Sequence, residues 1–217
     1  NILRKINKTK NKAKLKGEEK RVYELVKKDF YRASKNIRAQ LGQKDRFREG
    51  IERSGLYMKE IKRILKQFNL PEELSALPHV ESSFQIGAYS SAGAAGIWQF
   101  TRGTGRLFMR VGYDVDERRD PILATYGAAK LLKKNFESIG SWPLAITAYN
   151  HGLQGMKRAK KRFGSNIVKV IDKYKSRTFG FASQNFYAEF LAALHVAKNQ
   201  NKYFSNLVIK KPIPRVS

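Results

Sequence analysis

Residues 77–100 read LPHVESSFQIGAYSSAGAAGIWQF and contain a single carboxylate, Glu81. The next acid along the chain is Asp114, a long gap for a protein in which charged residues make up 29% of the sequence. Glu81 therefore stands among apolar, small and hydroxyl-bearing neighbours, a setting in which a carboxyl group can keep its proton near neutral pH. It also falls near the C-terminal end of a short helical segment, where the helix dipole disfavours a negative charge and nudges the pKa upward. The positive field of the whole protein pushes the other way, so desolvation has to dominate if Glu81 is to act as an acid. By position alone, a glutamate in the last turn of an amphipathic helix is usually solvated or salt-bridged. After it, residues 85–96 hold neither a helical nor a strand period and read as a loop. Gly93 and Gly96 would let the backbone approach a ligand or a packed neighbour.

On both sides of this stretch the apolar periodicity is helical. Upstream, Val22, Leu25, Val26, Phe30, Ile37 and Leu41 predict a helix over 18–41 with Gly42 as its stop. A weaker helix ends near Gly50, and Leu56 to Phe68 follows with Ile61, Ile64, Leu65 and Phe68 at 3–4 spacing. Pro71 with Glu72 and Glu73 reads as a new start that runs to Glu81, bent or cut short by Pro78. Downstream, helices are expected over 101–109, 121–138, 143–150 (with Ser141 as N-cap), 153–162, 165–174 (capped by Ser165) and 183–199. No alternating segment of convincing length interrupts them, and the fold class is all-α. The expected organisation is a basic arm over 1–17, extended or partly disordered, then a helical extension over 18–70 packed on a catalytic domain over 71–202. A tail over 203–217, strand or loop, closes the chain.

At 217 residues the chain suits one medium domain with a real core, while 44 Lys and Arg against 18 Asp and Glu give a net charge of +26. Residues 1–70 alone hold 22 basic and 8 acidic side chains, a net of +14. Such a surface is drawn to polyanions, whether nucleic acid, anionic lipid or a cell-wall polymer, and charge by itself does not choose among them. No nucleic-acid recognition motif is present, so no nucleic-acid partner is expected. Without cysteine there are no disulfides, thiolate metal sites or thiol nucleophiles. His79, His151 and His195 lack metal-ligand spacing. The acidic cluster Asp114 to Asp120 lacks the glycine and spacing of a calcium loop, so caps and surface ion pairs suit it better. Neither a metal nor a cofactor is expected. No run of residues is apolar enough to span a membrane or to form a signal-peptide core, so an exported form would take its targeting segment from elsewhere.

Three blocks, in order, resemble the lytic transglycosylase domain, a relative of goose-type lysozyme. The first is Glu81-Ser82, with Ser90 nine residues on and Gly96-Ile97-Trp98-Gln99 after it. The second is Ala148-Tyr149-Asn150-His151-Gly152, with His151 where the family commonly has a small residue. The third is Asn185-Phe186-Tyr187-Ala188-Glu189-Phe190-Leu191-Ala192. Upstream, IRAQLGQKDRFREGIERSGLY and LPEELSALPHVESSF are similar to the lead-in of the family's membrane-bound D-type branch, so the likeness covers about 36–200. It implies a lysozyme-like helical fold and cleavage of the β-1,4 bond between N-acetylmuramic acid and N-acetylglucosamine in peptidoglycan. The muramic 6-hydroxyl would be the nucleophile and the product a 1,6-anhydro end.

Glu81 would then be the sole general acid and base, which accords with one carboxylate where most glycosidases need two. Ser90 and Gln99 would hydrogen-bond substrate, Tyr149 would position the reacting groups, and Tyr187 or Phe186 would close the cleft. Asn150 would hold the loop. Trp98 would line the groove or pack in the core, Ser82 would be structural or a direct participant, and His151 a polar helix end or a substrate contact. A hydrolytic muramidase using Asp114, Asp116 or Asp120 to place water is the rival enzyme, and a silent basic wall-binding module the rival outside enzymes. The resemblance further implies a monomer acting on peptidoglycan strands, in the periplasm or at the outer membrane, with membrane anchoring compatible with the branch.

Overall fold

The computed structural model describes residues 2–9, 11–26 and 43–212, and the chain forms two compact units, Asn1–Gln43 and Lys44–Ser217. In the first, α1 (Ile2–Lys8), a single 3-10 turn (Lys12–Lys14) and α2 (Gly17–Val26) enclose a small cluster of Ile6 and Leu15 against Val22 and Tyr23. An ion pair, Lys5 to Glu19 at 2.6 Å, ties α1 to α2. The basic arm expected to be extended is thus helical over its first turns, because Ile6 and Leu15 give it something to bury. The helix expected to continue to Leu41 is seen as far as Val26, and its remainder lies outside the described residues.

The second unit opens with α3 (Lys44–Ser54) and α4 (Met58–Gln67). The segment expected as one bent helix from Pro71 divides instead into a 3-10 turn (Glu72–Ala76) and α5 (Leu77–Glu81). The break falls before Pro78, which therefore sits in the first turn of α5, where a missing N–H costs nothing. Next come a very short α6 (Arg102–Gly105) and a 3-10 turn (Glu117–Arg119). Five helices complete the unit: α7 (Pro121–Ile139), α8 (Trp142–His151), α9 (Leu153–Phe163), α10 (Ile167–Lys173) and α11 (Phe181–Lys198), with a last turn α12 (Gln200–Tyr203). Among the described residues the only β pairing is three isolated bridges, Tyr89 with Ala95, Ala95 with Phe100, and Val111 with Asp116. The architecture is all-α, as the periodicity indicates.

Helix α8 is the central element, apolar on nearly every side and packed against α7, α9 and α11. The small face of α7, Ala124, Ala128 and Ala129, admits the close approach of its neighbours. The main core joins Ile61, Ile64 and Leu65 of α4 to Leu77, Trp98, Leu132, Ile146, Phe186 and Phe190. A second cluster, with Leu144, Met156, Val170, Tyr174 and Phe179, lies under α9 and α10. Two caps differ from expectation. Asn166 rather than Ser165 caps α10, its Oδ1 accepting from the Lys169 amide at 3.1 Å, and Ser141 occupies the N-cap of α8 without a side-chain bond. From α12 to residue 212 the chain has no regular structure, and the Lys210 amide donates to the Glu52 carbonyl at 3.0 Å.

Candidate active site

Glu81 is the last residue of α5, and the backbone turns sharply behind it. Ser83 and Phe84 both hold left-handed φ values, 52° and 58°. That conformation costs a non-glycine residue roughly 1–2 kcal/mol. Burial of the Phe84 ring and of Ser83 holds it in place. Ser82 is fully buried, and its Oγ donates to the Ile97 carbonyl at 2.9 Å, so it acts as a structural link between the end of α5 and the following loop.

The loop over 88–100 forms one wall of a cleft of about 480 Å³, into which Glu81, Ser90, Gln99, Tyr149, Asn150 and His151 all reach. Its geometry depends on a residue the sequence does not single out. Arg118 is completely buried, and its guanidinium donates to the Gly93 carbonyl at 2.8 Å and the Phe100 carbonyl at 2.9 Å. The remaining N–H groups form a two-pronged pair with Asp116, at 2.8 and 2.7 Å. Gly96, at φ 76°, lies so close to the Arg118 carbonyl that an added Cβ would sit 1.9 Å from it. Only glycine fits there. The acidic cluster at 114–120 thus serves the site from behind. Asp116 holds Arg118, and Asp120 caps α7 by accepting from the Ile122 and Leu123 amides. None of Asp114, Asp116 and Asp120 lines the cleft.

Within the cleft Glu81 is pushed up to about 8, first by loss of solvation and second by the negative charge of Glu189. Part of its surface stays open to the cleft, so the acid is dry on the protein side and reachable from the other. Tyr149 donates its hydroxyl to the Trp98 carbonyl at 2.8 Å. Burial first, and the Glu81 charge second, push its phenol well above the usual range, so it stays a neutral donor. Gln99 takes a left-handed φ of 50°, and its amide nitrogen donates to the Gly96 carbonyl at 2.9 Å. Its carbonyl oxygen is left as the acceptor on the cleft side. Ser90 Oγ accepts from the Ala94 amide at 3.0 Å and retains its own hydrogen to donate. Asn150 Oδ1 accepts from Ser183 Oγ at 2.7 Å, tying the end of α8 to the start of α11.

The structure bears on two readings that the sequence leaves open. The Trp98 indole is fully buried, and its Nε1 donates to Thr125 Oγ1 at 2.8 Å, so it is a core residue that meets the cleft only through its backbone carbonyl. His151 is the last residue of α8 and also lines the cleft. Its ring lies edge-on to Phe179, with centroids 4.9 Å apart, and fills the space over Gly155, where a Cβ would come within 2.4 Å. Tyr187 is half-buried beside Phe190 at 6.3 Å and is not among the residues that form the cleft cavity, while Phe186 is a core residue. Glu189 was missed as a neighbour of Glu81. It lies inside the third quoted block, between the buried Phe186 and Phe190 positions, and α11 packs on α5. Much of its surface faces solvent, yet partial burial still raises its own carboxyl.

A helical domain with one desolvated carboxyl in a polar-lined cleft defines a lysozyme-like class. Comparisons make it specific. The transglycosylase SLT domain family matches residues 59–171, and the chain belongs to that family. It is 33% identical over 153 residues to membrane-bound lytic murein transglycosylase D of Escherichia coli K12, covering 68% of this chain and 32% of the relative. The same protein from the O6:H1 strain matches equally. The chain thus spans about a third of the length of the curated relatives it matches. Among solved structures it resembles an inactive mutant of lytic transglycosylase Slt from Pseudomonas aeruginosa. The TM-score is 0.53 at 19% identity, over 70% of this chain and 25% of that one. The shared feature is the fold.

Proposed function

We propose that this domain is a peptidoglycan lytic transglycosylase that cleaves the bond between N-acetylmuramic acid and N-acetylglucosamine, with Glu81 as its single acid and base. The observation that carries the reading is that Glu81 is the one carboxyl group reaching the cleft among the described residues, and burial keeps it protonated near neutrality. Protonated Glu81 donates to the glycosidic oxygen, the C1–O4 bond breaks, and the glucosamine 4-hydroxyl leaves. The muramic ring passes through an oxocarbenium-like state. Glu81, now a carboxylate, takes the proton from that ring's 6-hydroxyl as O6 bonds to C1. No water is consumed, and the acid is restored. The Tyr149 hydroxyl and the Ser90 and Gln99 side chains supply the polar groups that would hold the sugar in place.

The raised pKa suits this cycle, because the same group must be an acid first and a base second near one pH. Hydrolysis instead would need a second carboxylate facing an attacking water. The three aspartates considered for that role are absent from the cleft, which leaves Glu189 as the nearest charge. The substrate places the protein's work on the outer side of the cytoplasmic membrane, in keeping with the membrane-bound relative. Among the described residues no helix is long and apolar enough to cross a membrane.

The test is digestion of purified cell walls followed by mass analysis of the fragments. Wild-type protein is expected to release ends lighter by one water than hydrolytic ones. Glu81→Gln is expected to lower the rate about 10²–10⁴-fold, the usual worth of general acid–base catalysis. Reducing ends would overturn the non-hydrolytic step, and full activity in the variant would overturn the assignment of Glu81.

A further inference from the structure

Beyond His151 at one end of the cleft lies a second, smaller cavity of about 330 Å³. It is lined by Arg158, Lys161, Arg162, Tyr174, Lys175 and Ser176. Four of these six side chains are cations, and no acid lines it. The reason is local. On α9 the residues at 158, 161 and 162 share the exposed stripe opposite Gly155, Met156 and Ala159, which are buried. The segment after α10 brings Lys175 and Ser176 alongside, over the buried ring of Tyr174. None of the four cations forms an ion pair among the described residues, whereas Lys160, in the same turn, donates to the Ile139 carbonyl at 2.6 Å.

Four like charges around one cavity create a local positive potential that attracts an anion. Two of them are arginines, whose planar forks suit the two oxygens of a carboxylate. The cavity and the cleft share no lining residue and adjoin through one ring contact. Tyr174, its floor, stands edge-on to His151 at 6.1 Å, and the positive charge of Arg158 reaches the His151 ring.

We propose that this cavity is an accessory subsite for a carboxylate carried by the polymer in the cleft, namely one on the peptide stem attached to muramic acid. The inference rests on the proposed peptidoglycan substrate. Within that substrate the stem is the carboxylate-bearing branch, and it departs from the sugar next to the bond being cut. The subsite would hold the strand in register by its branch, while the cleft residues hold it by its ring.

The test measures binding of the non-cleaving Glu81→Gln protein to two insoluble walls, one with its stems intact and one made bare glycan by an amidase, which leaves each muramic acid only the lactyl carboxylate on its ring. The double change Arg158→Gln and Arg162→Gln, added to that protein, is expected to weaken binding to the stem-bearing wall on the order of tenfold. Binding to bare glycan is expected to stay within about twofold. A control double change of the exposed Lys59 and Lys66 to Gln removes the same charge elsewhere and is expected to affect both walls alike. Equal loss on the two walls from the arginine pair would overturn the subsite in favour of general attraction to a polyanion, and no loss on either would overturn it outright. Product analysis of the wild-type protein judges the cleavage reading separately, since binding by a non-cleaving variant does not depend on it.

Discussion

Helix α5 carries two ionisable side chains two residues apart, and a two-residue step on a helix turns them to opposite faces. Glu81 looks into the cleft, while His79 looks into a cavity of about 520 Å³ on the other side, stacked on Phe47 at 4.9 Å and edge-on to Phe84 at 4.6 Å. Burial makes both neutral. It pushes His79 down to about 4 and Glu81 up to about 8. The two faces differ in what else acts. His79 has desolvation alone, and its Nδ1 lacks a hydrogen-bond partner among the described residues. Glu81 has the added field of Glu189 and an opening to a polar-lined groove. The glutamates on the histidine's side are already engaged, Glu72 with Lys62 at 3.4 Å and Glu73 with Lys198 at 3.1 Å. A shifted pKa by itself does not mark a site. The open, hydrogen-bonding surroundings separate the proposed acid from the buried histidine.

The comparison can be broken through stability, because the two groups contribute with opposite signs. Below pH 6.5 the unfolded chain protonates His79 while the folded one resists until about 4. Stability from this group is therefore lost as pH falls through that window. His79→Phe is expected to remove up to about 3 kcal/mol of acid sensitivity, measured as chemical unfolding at pH 4 and pH 7. An unchanged pH dependence would mean that His79 is solvated. For Glu81 the folded state holds the proton from 4.5 up to about 8, so stability is lost as pH rises. Glu81→Gln is expected to stabilise the fold on the order of 2 kcal/mol at pH 8 and hardly at all at pH 4, allowing for partial exposure. Equal effects at both pH values would contradict a protonated Glu81. The smallest effect sharpens the contrast. Glu189→Gln removes a like charge, so the alkaline limb of kcat/KM against pH is expected to move to lower pH with turnover at pH 5 preserved. Loss of activity at every pH would instead give Glu189 a direct part in the chemistry.

The helices and the isolation of Glu81, the proposed acid, were legible because each rests on a local signal. The 3–4 spacing of Ile61, Ile64, Leu65 and Phe68 marks α4, and the long acid-free interval isolates Glu81. What escaped depends on contacts between distant residues. Arg118 sits in the most charged stretch of the second unit and looks like a surface residue until the loop carbonyls of Gly93 and Phe100 are seen around it. Trp98 could face the groove or the core by sequence, and its side was settled by Thr125, 27 residues on. Glu189 follows the same rule, since its neighbour Glu81 lies on a helix far upstream and only the docking of α11 on α5 joins them. The His151 niche, by contrast, had a signal within reach. A large ring in place of a small residue, with Gly155 one turn later, is a local exchange of volume.

The place of α11 as the last long helix of the second unit also bears on when Glu81 acquires its surroundings during synthesis. Phe186, Phe190 and Glu189 reach α5 only after nearly the whole of the second unit has been made. Until then the carboxyl of Glu81 lacks both the last helix packed on α5 and the neighbouring negative charge, and titrates closer to an ordinary glutamate. A ribosome-bound or clipped chain without this helix would therefore be a poor acid at neutral pH. Docking of α11 and arming of the proposed proton donor become one event, a useful property for an enzyme whose proposed substrate is the wall of a living cell.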